Sequence, residues 1–241
     1  MAAMTTVRAR WSGSPTADLV VVVLPGLGLP AYVRPLERGL ARRGVACAVL
    51  DLPGFGSRSG RVCAPHVTTM GQVAADWVAG LDRRRRVVVL GHSTGAQAAL
   101  GTALAIQRSH PDAALVMCGP TFHPAHRTLR GLARATSTAY LHDSPKEVVV
   151  VPALLRGNVD VARLVRSGVR DRPEDRIIGL DLPVLLTAGR HDTYAPASWL
   201  ETLAARATRS PQVTTAVLDG SHNNLYTHGD VLTDTVLDAV R

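Results

Sequence analysis

Hydrophobic positions along the chain alternate between two kinds of run. Leu19-Val-Val-Val-Val-Leu24 is an unbroken, mostly β-branched stretch closed by Pro25-Gly26, the pattern of a strand buried on both faces. Between Tyr32 and Arg43 the spacing changes to that of a helix. Val33, Leu36 and Leu40 share one face, Arg34, Glu37, Arg38 and Arg42 fall off it, and Gly44 stands where a C-cap glycine belongs. Val45 to Leu50 predicts a second strand, ending at Asp51. Thr69, with Gln72 three residues on, predicts a capping-box start. Met70, Val73, Ala74, Trp77, Val78 and Leu81 then keep a 3.6-residue period. A third strand follows from Arg86 to Leu90, an alanine-rich helix from Thr94 to Gln107, and a fourth strand from Ala113 to Met117.

The strand pattern resumes at Pro183 to Ala188. A helix opened by Pro196 carries Trp199, Leu200 and Leu203, Val213 to Leu218 is the last strand, and Val231 to Val240 a closing helix. Strands and helices alternating at this spacing predict an α/β fold, with a mostly parallel sheet covered by helices on both faces. From Thr121 to about Leu180 the rhythm breaks. Only Val148 to Val151 has any strand character there, and the rest reads as short amphipathic helices. The expected organisation is therefore a core made of residues 1–120 and 181–241, with residues 121–180 inserted as a helical cap. No internal repeat is visible.

Composition narrows the class. A chain of 241 residues that is 46% hydrophobic and 19% charged can bury roughly three quarters of its unfolded surface, so a globular core is expected rather than disorder. Its 27 basic and 19 acidic residues leave a net +8. Yet Lys146 is the only lysine, the arginines are spread along the whole chain, and nine aromatic residues give no stacking platform, which argues against nucleic acid. Arg83 to Arg86 directly follow a helix end, where cations suit the helix dipole. Cys47, Cys63 and Cys118 form neither a disulfide framework nor a CxxC pair, which suits a reducing, cytoplasmic setting. The first ten residues lack the apolar stretch of a signal peptide. The runs Leu19–Leu24 and Val148–Leu155 fall well short of the ~20 residues of a membrane span, so no membrane role is expected.

The most informative segment is Gly91-His92-Ser93-Thr94-Gly95, placed directly after a strand and before a helix. There, G-x-S-x-G is a nucleophile elbow, a strained turn whose flanking glycines make room for one exposed serine. A serine hydroxyl needs a base, and the base needs an orienting carboxylate. Asp192, in Gly189-Arg-His-Asp192, and His222, in Asp219-Gly-Ser-His222, each follow the end of a strand, which gives the chain order Ser, Asp, His. His191 and His228 are competing bases, and Asp219 is the rival carboxylate. Two backbone donors must face the oxyanion. The N–H of Thr94 is one candidate, and that of Leu27, in the turn Pro25-Gly-Leu-Gly28, is the other. His92 is expected to pack beneath the serine. His123 and His126 have a spacing that could pair on zinc, but no third ligand is near and Pro124 works against helical presentation. Cys118 is expected to be a small buried core residue.

Pro25-Gly-Leu-Gly28, Asp51-Leu-Pro-Gly-Phe-Gly-Ser57, Gly91-His-Ser-Thr-Gly95 and the turns bearing Asp192 and His222 together resemble the α/β-hydrolase fold family, in its serine-nucleophile, capped, esterase- and thioesterase-like form. The resemblance runs from about Leu19 to the C-terminus. Many members have histidine where Pro25 stands, so this oxyanion turn departs from their pattern. The resemblance implies a helical cap, matching Thr121–Leu180, and no cofactor. Ser93 at the elbow separates the chain from epoxide hydrolases and haloalkane dehalogenases, which carry aspartate there. The expected activity is hydrolysis of a small-to-medium carboxylic ester or lactone through an acyl-enzyme on Ser93. Asp192, His222 and the N–H groups of Leu27 and Thr94 would assist. One alternative is a thioesterase or acyltransferase served by an acidic acyl-carrier protein, for which nine arginines between Arg127 and Arg176 offer a docking face. Another is a lyase, cyclase or isomerase with His222 as acid–base. An inward-turned arginine of that segment would bind a substrate carboxylate bidentately.

Overall fold

The computed structural model describes residues 7–14, 16–55, 61–139 and 159–240. Its strands are β1 (Ala9–Ser12), β2 (Leu19–Leu24), β3 (Ala46–Leu50), β4 (Arg86–His92), β5 (Ala114–Cys118), β6 (Val184–Gly189) and β7 (Val213–Leu218). They form one sheet in the order β1-β3-β2-β4-β5-β6-β7, with β1 antiparallel to β3 and every other pairing parallel. In β2 the side chains alternate faces. Val20, Val22 and Leu24 join one core, while Val21 and Val23 join the other. Helices α2 (Val67–Ala79), α3 (Thr94–Ile106) and α7 (Ala197–Arg206) cover the first face through Met70, Ala74, Leu100 and Trp199. Helices α1 (Arg34–Arg42) and α9 (Gly229–Ala239) cover the second through Leu36, Leu40, Leu232 and Val236. Burial on both sides is why the central strands read as continuous apolar runs.

Between β5 and β6 the described chain carries helices and turns. These are α4 (Leu129–Ala139), α5 (Val159–Arg170), the one-turn α6 (Pro173–Arg176), and short turns at Pro124–His126 and Ile177–Gly179. Val148 to Val151, Lys146 and Arg156 lie outside the described residues, as do Gly56 and Ser57.

The elements differ from the sequence expectations at particular places. Strand β1 is not foreshadowed, because four residues carry too little periodicity. It is held at the sheet edge by the pairing with β3, by the Arg10 ion pair with buried Glu37, and by Trp11 stacking near Trp77 at 5.7 Å. No capping box forms at Thr69. Helix α2 begins at Val67, and the Oγ of Ser167 on α5 accepts the Val67 N–H at 3.1 Å, so a partner helix supplies the cap. Strand β4 runs two residues past Leu90, pairing Gly91 with Met117 and His92 with Cys118. The predicted first helix opens instead as a 3₁₀ turn at Pro30–Val33, and a short α8 (Asn224–Thr227) precedes the closing helix.

The close approach of α3 to the sheet depends on two glycines. A Cβ at Gly95 would lie 2.1 Å from the carbonyl oxygen of Leu24, and one at Gly91 would lie 2.2 Å from that of Gly95. Backbone cannot yield as a flexible side chain can. Gly95→Ala is expected to lower stability by at least ~2 kcal/mol through overpacking. Gly101→Ala, where the nearest obstacle is the end of the Arg176 side chain, should shift it by no more than ~1 kcal/mol. Urea unfolding of both variants checks this, and equal midpoints would contradict it.

Candidate active site

Every chemistry-bearing residue sits just past the C-terminal end of a parallel strand. The turn Gly26–Gly28 follows β2, Ser93 follows β4, Asp192 follows β6 and His222 follows β7. Parallel strands end on one edge of the sheet, so four turns distant in sequence converge there. Ser93 has φ 56° and ψ −125°, and its N–H donates to the carbonyl of Cys118 at 3.0 Å. A β-carbon on Gly26 would meet the Ser93 Cβ at 2.8 Å, which explains the glycine opposite the serine.

The structure brings the three predicted residues into one line. His222 Nε2 is 3.0 Å from Ser93 Oγ, and His222 Nδ1 is 2.9 Å from Asp192 Oδ2. The Asp192 carboxylate is wholly buried, and its Oδ1 accepts the N–H groups of Tyr194 and Ala195, each at 2.9 Å. Burial alone pushes its pKa up. The His222 imidazole and the Ala195 N–H outweigh that, holding the carboxyl below its usual range, so it stays ionised. An ionised acceptor fixes the proton on Nδ1 and leaves Nε2 free to accept from the serine hydroxyl. The rivals lie elsewhere. His191 is exposed, Asp219 pairs with Arg190 at 3.0 Å at the surface, and His228 leads into α9 with Nδ1 2.9 Å from the Thr227 hydroxyl.

His92 does more than pack beneath the serine. Its Nε2 lies 2.7 Å from the carbonyl oxygen of His222, and because a carbonyl only accepts, that nitrogen carries the proton. Its Nδ1 lies 2.9 Å from the Tyr32 hydroxyl, which is itself 3.1 Å from the carbonyl oxygen of Gly26. Burial, together with the neighbouring His222, pushes the His92 pKa down to about 3, so it acts as a neutral strut. Tyr32 and His92 thus tie the β2 turn, the elbow and the base-bearing loop together. Tyr32 gave no signal in the sequence beyond marking where the first predicted helix begins.

The oxyanion side differs from expectation. Leu27 takes a left-handed conformation, φ 50°, and its N–H donates to the Thr94 Oγ1 at 2.9 Å. The donor expected to stand open is therefore occupied by the side chain after the nucleophile. The Thr94 N–H, at the first residue of α3, has no carbonyl four residues back within the helix.

Helix α5 closes over this edge. Gln97 Nε2 donates to the Gly168 carbonyl at 2.8 Å, and a Cβ on Gly168 would come within 3.3 Å of the Thr94 Cγ2 and 3.2 Å of Phe122. Helix α4 is tied to the Asp192 loop by the Tyr194 hydroxyl, which donates to Thr136 at 2.9 Å, and the Tyr194 ring lies 4.9 Å from that of His222. One arginine of this segment does turn inward. Arg127 grips Glu174 with two bonds of 2.5 and 2.7 Å, so its bidentate partner is a carboxylate of the chain itself. Arg176 likewise binds Asp171 at 2.6 Å and the Gln97 carbonyl at 2.9 Å. His123 and His126 stack 5.4 Å apart beside Trp199, and no cluster of three metal-ligating side chains occurs among the described residues. Cys118 is buried in the core, where desolvation pushes its thiol up to about 12. None of the described helices is long and apolar enough to cross a membrane.

Solved structures share this architecture along nearly the whole chain. A lipase-esterase related protein from Clostridium acetobutylicum superposes with a TM-score of 0.76 at 15% identity, covering 96% of this chain and 98% of its own. An enol-lactonase from Burkholderia xenovorans gives 0.64 at 17% identity, with 97% and 96% covered. A type II thioesterase of the yersiniabactin biosynthetic pathway gives 0.64 at 19%, with 97% of each chain covered. At such identities the likeness is one of fold. No curated protein matches the chain significantly in sequence. The model of the Alpha/beta hydrolase family matches residues 21–235, and the chain belongs to that family.

Proposed function

We propose that this chain is a serine hydrolase of a small-to-medium carboxylic ester or lactone. The observation that carries the reading is the unbroken line from Ser93 Oγ through His222 to a buried, ionised Asp192. In the proposed reaction His222 Nε2 takes the hydroxyl proton as Ser93 attacks the acyl carbonyl, then gives it to the leaving oxygen. Asp192 holds the imidazole in its working tautomer and offsets the charge of the imidazolium. Water, activated by His222, releases the acid from the acyl-enzyme. Residues 121–180 serve as the cap, with α5 shielding the elbow from solvent. The lipase-esterase related and enol-lactonase neighbours are compatible with this substrate class.

A thioesterase taking acyl chains from an acidic carrier is the second reading, favoured by one feature. Arg163, Arg166 and Arg170 line a cavity of about 510 Å³ between α5 and the start of α2, on the flank of α5 away from Gly168.

Activity on a panel of aryl esters, lactones and acyl thioesters tests the proposal. Ser93→Ala is expected to lower kcat/KM at least ~10⁴-fold, and Asp192→Asn by a similar order. Retention of most activity by Ser93→Ala would favour chemistry in which the serine only positions substrate. The pH profile adds a separate check. His92, held near 3, and Asp192, held below its usual range, keep one protonation state at mid pH, so neither adds a proton to the acid limb of the profile. On the acid side kcat/KM should fall with a slope of one proton; a two-proton slope contradicts the assignment.

A further inference from the structure

The hydrogen bond from Leu27 to Thr94 leaves one proton unaccounted for. Thr94 Oγ1 accepts the Leu27 N–H at 2.9 Å, yet the hydroxyl's own hydrogen has no acceptor among the described residues. Thr94 is only 1% exposed, so its side chain is held by the protein around it. The side chain is held in one orientation from two sides. Its methyl packs toward Gly168 of α5, where an added Cβ would stand 3.3 Å from Cγ2, and its oxygen faces the β2 turn. Gly168 itself sits inside a helix, where glycine costs about 0.5–1 kcal/mol relative to alanine, a cost that this close approach explains.

We propose that the Thr94 hydroxyl is a catalytic oxyanion donor, relaying the Leu27 N–H to the substrate oxygen. The inference rests on the serine-hydrolase reading and deepens it. When Ser93 Oγ bonds to the acyl carbon, its proton passes to His222 and the carbonyl π pair moves onto the oxygen. That oxygen receives the Thr94 N–H and the Thr94 Oγ1–H as hydrogen bonds, with no proton transferred from either. When the tetrahedral species collapses, the pair returns to the carbonyl and the leaving oxygen takes the proton from His222. The Leu27 N–H, bonded to Oγ1, polarises the hydroxyl and makes it a better donor than an isolated one. This explains why a non-glycine residue is held at positive φ in the turn: the conformation of Leu27 aims its N–H at the threonine.

Thr94→Val keeps the shape and removes the hydroxyl, Thr94→Ser keeps the hydroxyl and removes the methyl, and both are assayed on the ester that the parent cleaves best. The relay predicts a fall in kcat of about 10²-fold or more for Thr94→Val with KM within about threefold. Thr94→Ser should remain within about tenfold of the parent. The inhibition constant of a trifluoromethyl ketone, which forms a tetrahedral oxyanion on the serine, should weaken in Thr94→Val by the same factor as kcat/KM. A purely structural role would not produce that correspondence, and unfolding midpoints check that both variants are folded. If Thr94→Val turns over as fast as the parent or faster, the hydroxyl is a latch that competes for the Leu27 N–H, and the relay is overturned. If the ketone binds Thr94→Val as tightly as the parent, it is likewise overturned. Failure of the underlying reading looks different: the parent itself would hydrolyse none of the esters above the Ser93→Ala background.

Discussion

The strained backbone at Ser93 is the constraint around which the molecule is arranged. A serine at φ 56° is uncommon outside tight turns, and it persists only where its surroundings over-determine it. Here the surroundings are the last pairing of β4 with β5, the Ser93 N–H bond to Cys118, and the first turn of α3 pressed against the Leu24 carbonyl. The last of these contacts requires the absence of a side chain at both Gly91 and Gly95. The buried apolar strands on either side provide the rigidity that keeps the turn from relaxing.

A second layer of order comes from neutral and charged groups whose states are set by burial. His92, kept neutral by desolvation, links the Tyr32 hydroxyl to the backbone of His222, so the β2 turn, the elbow and the His222 loop are tied to one another. Asp192 is as deeply buried but remains ionised, because two backbone N–H groups and the imidazole stabilise its charge. Burial favours the neutral form of both groups; it prevails at His92 and is outweighed at Asp192, where donors face the carboxylate.

Much of this was legible from residue order, and the reason is physical. Central parallel strands are apolar on both faces, so β2 and β4 stand out as runs of valine, and the glycine-flanked serine after β4 is legible at its strand end. Asp192 and His222 are legible as the carboxylate and histidine in the turns after β6 and β7. What could not be read were contacts between segments far apart in the chain. The cap of α2 comes from Ser167, one hundred residues away, so the local Thr69–Gln72 pattern misled. Tyr32 reads only as the start of a helical stretch, and only the fold reveals its hydroxyl against His92. The engagement of Leu27 by Thr94 joins residues sixty-seven apart, and no spacing rule reaches that far.

The central claim is that Ser93 is an activated nucleophile. The most direct measurement is the intact mass of the protein after exposure to a small fluorophosphonate, with peptide mapping of the adduct and Ser93→Ala in parallel. The account predicts one adduct per chain, located on Ser93, and none on the variant. A folded parent that stays unmodified, or one labelled equally with and without Ser93, would contradict it.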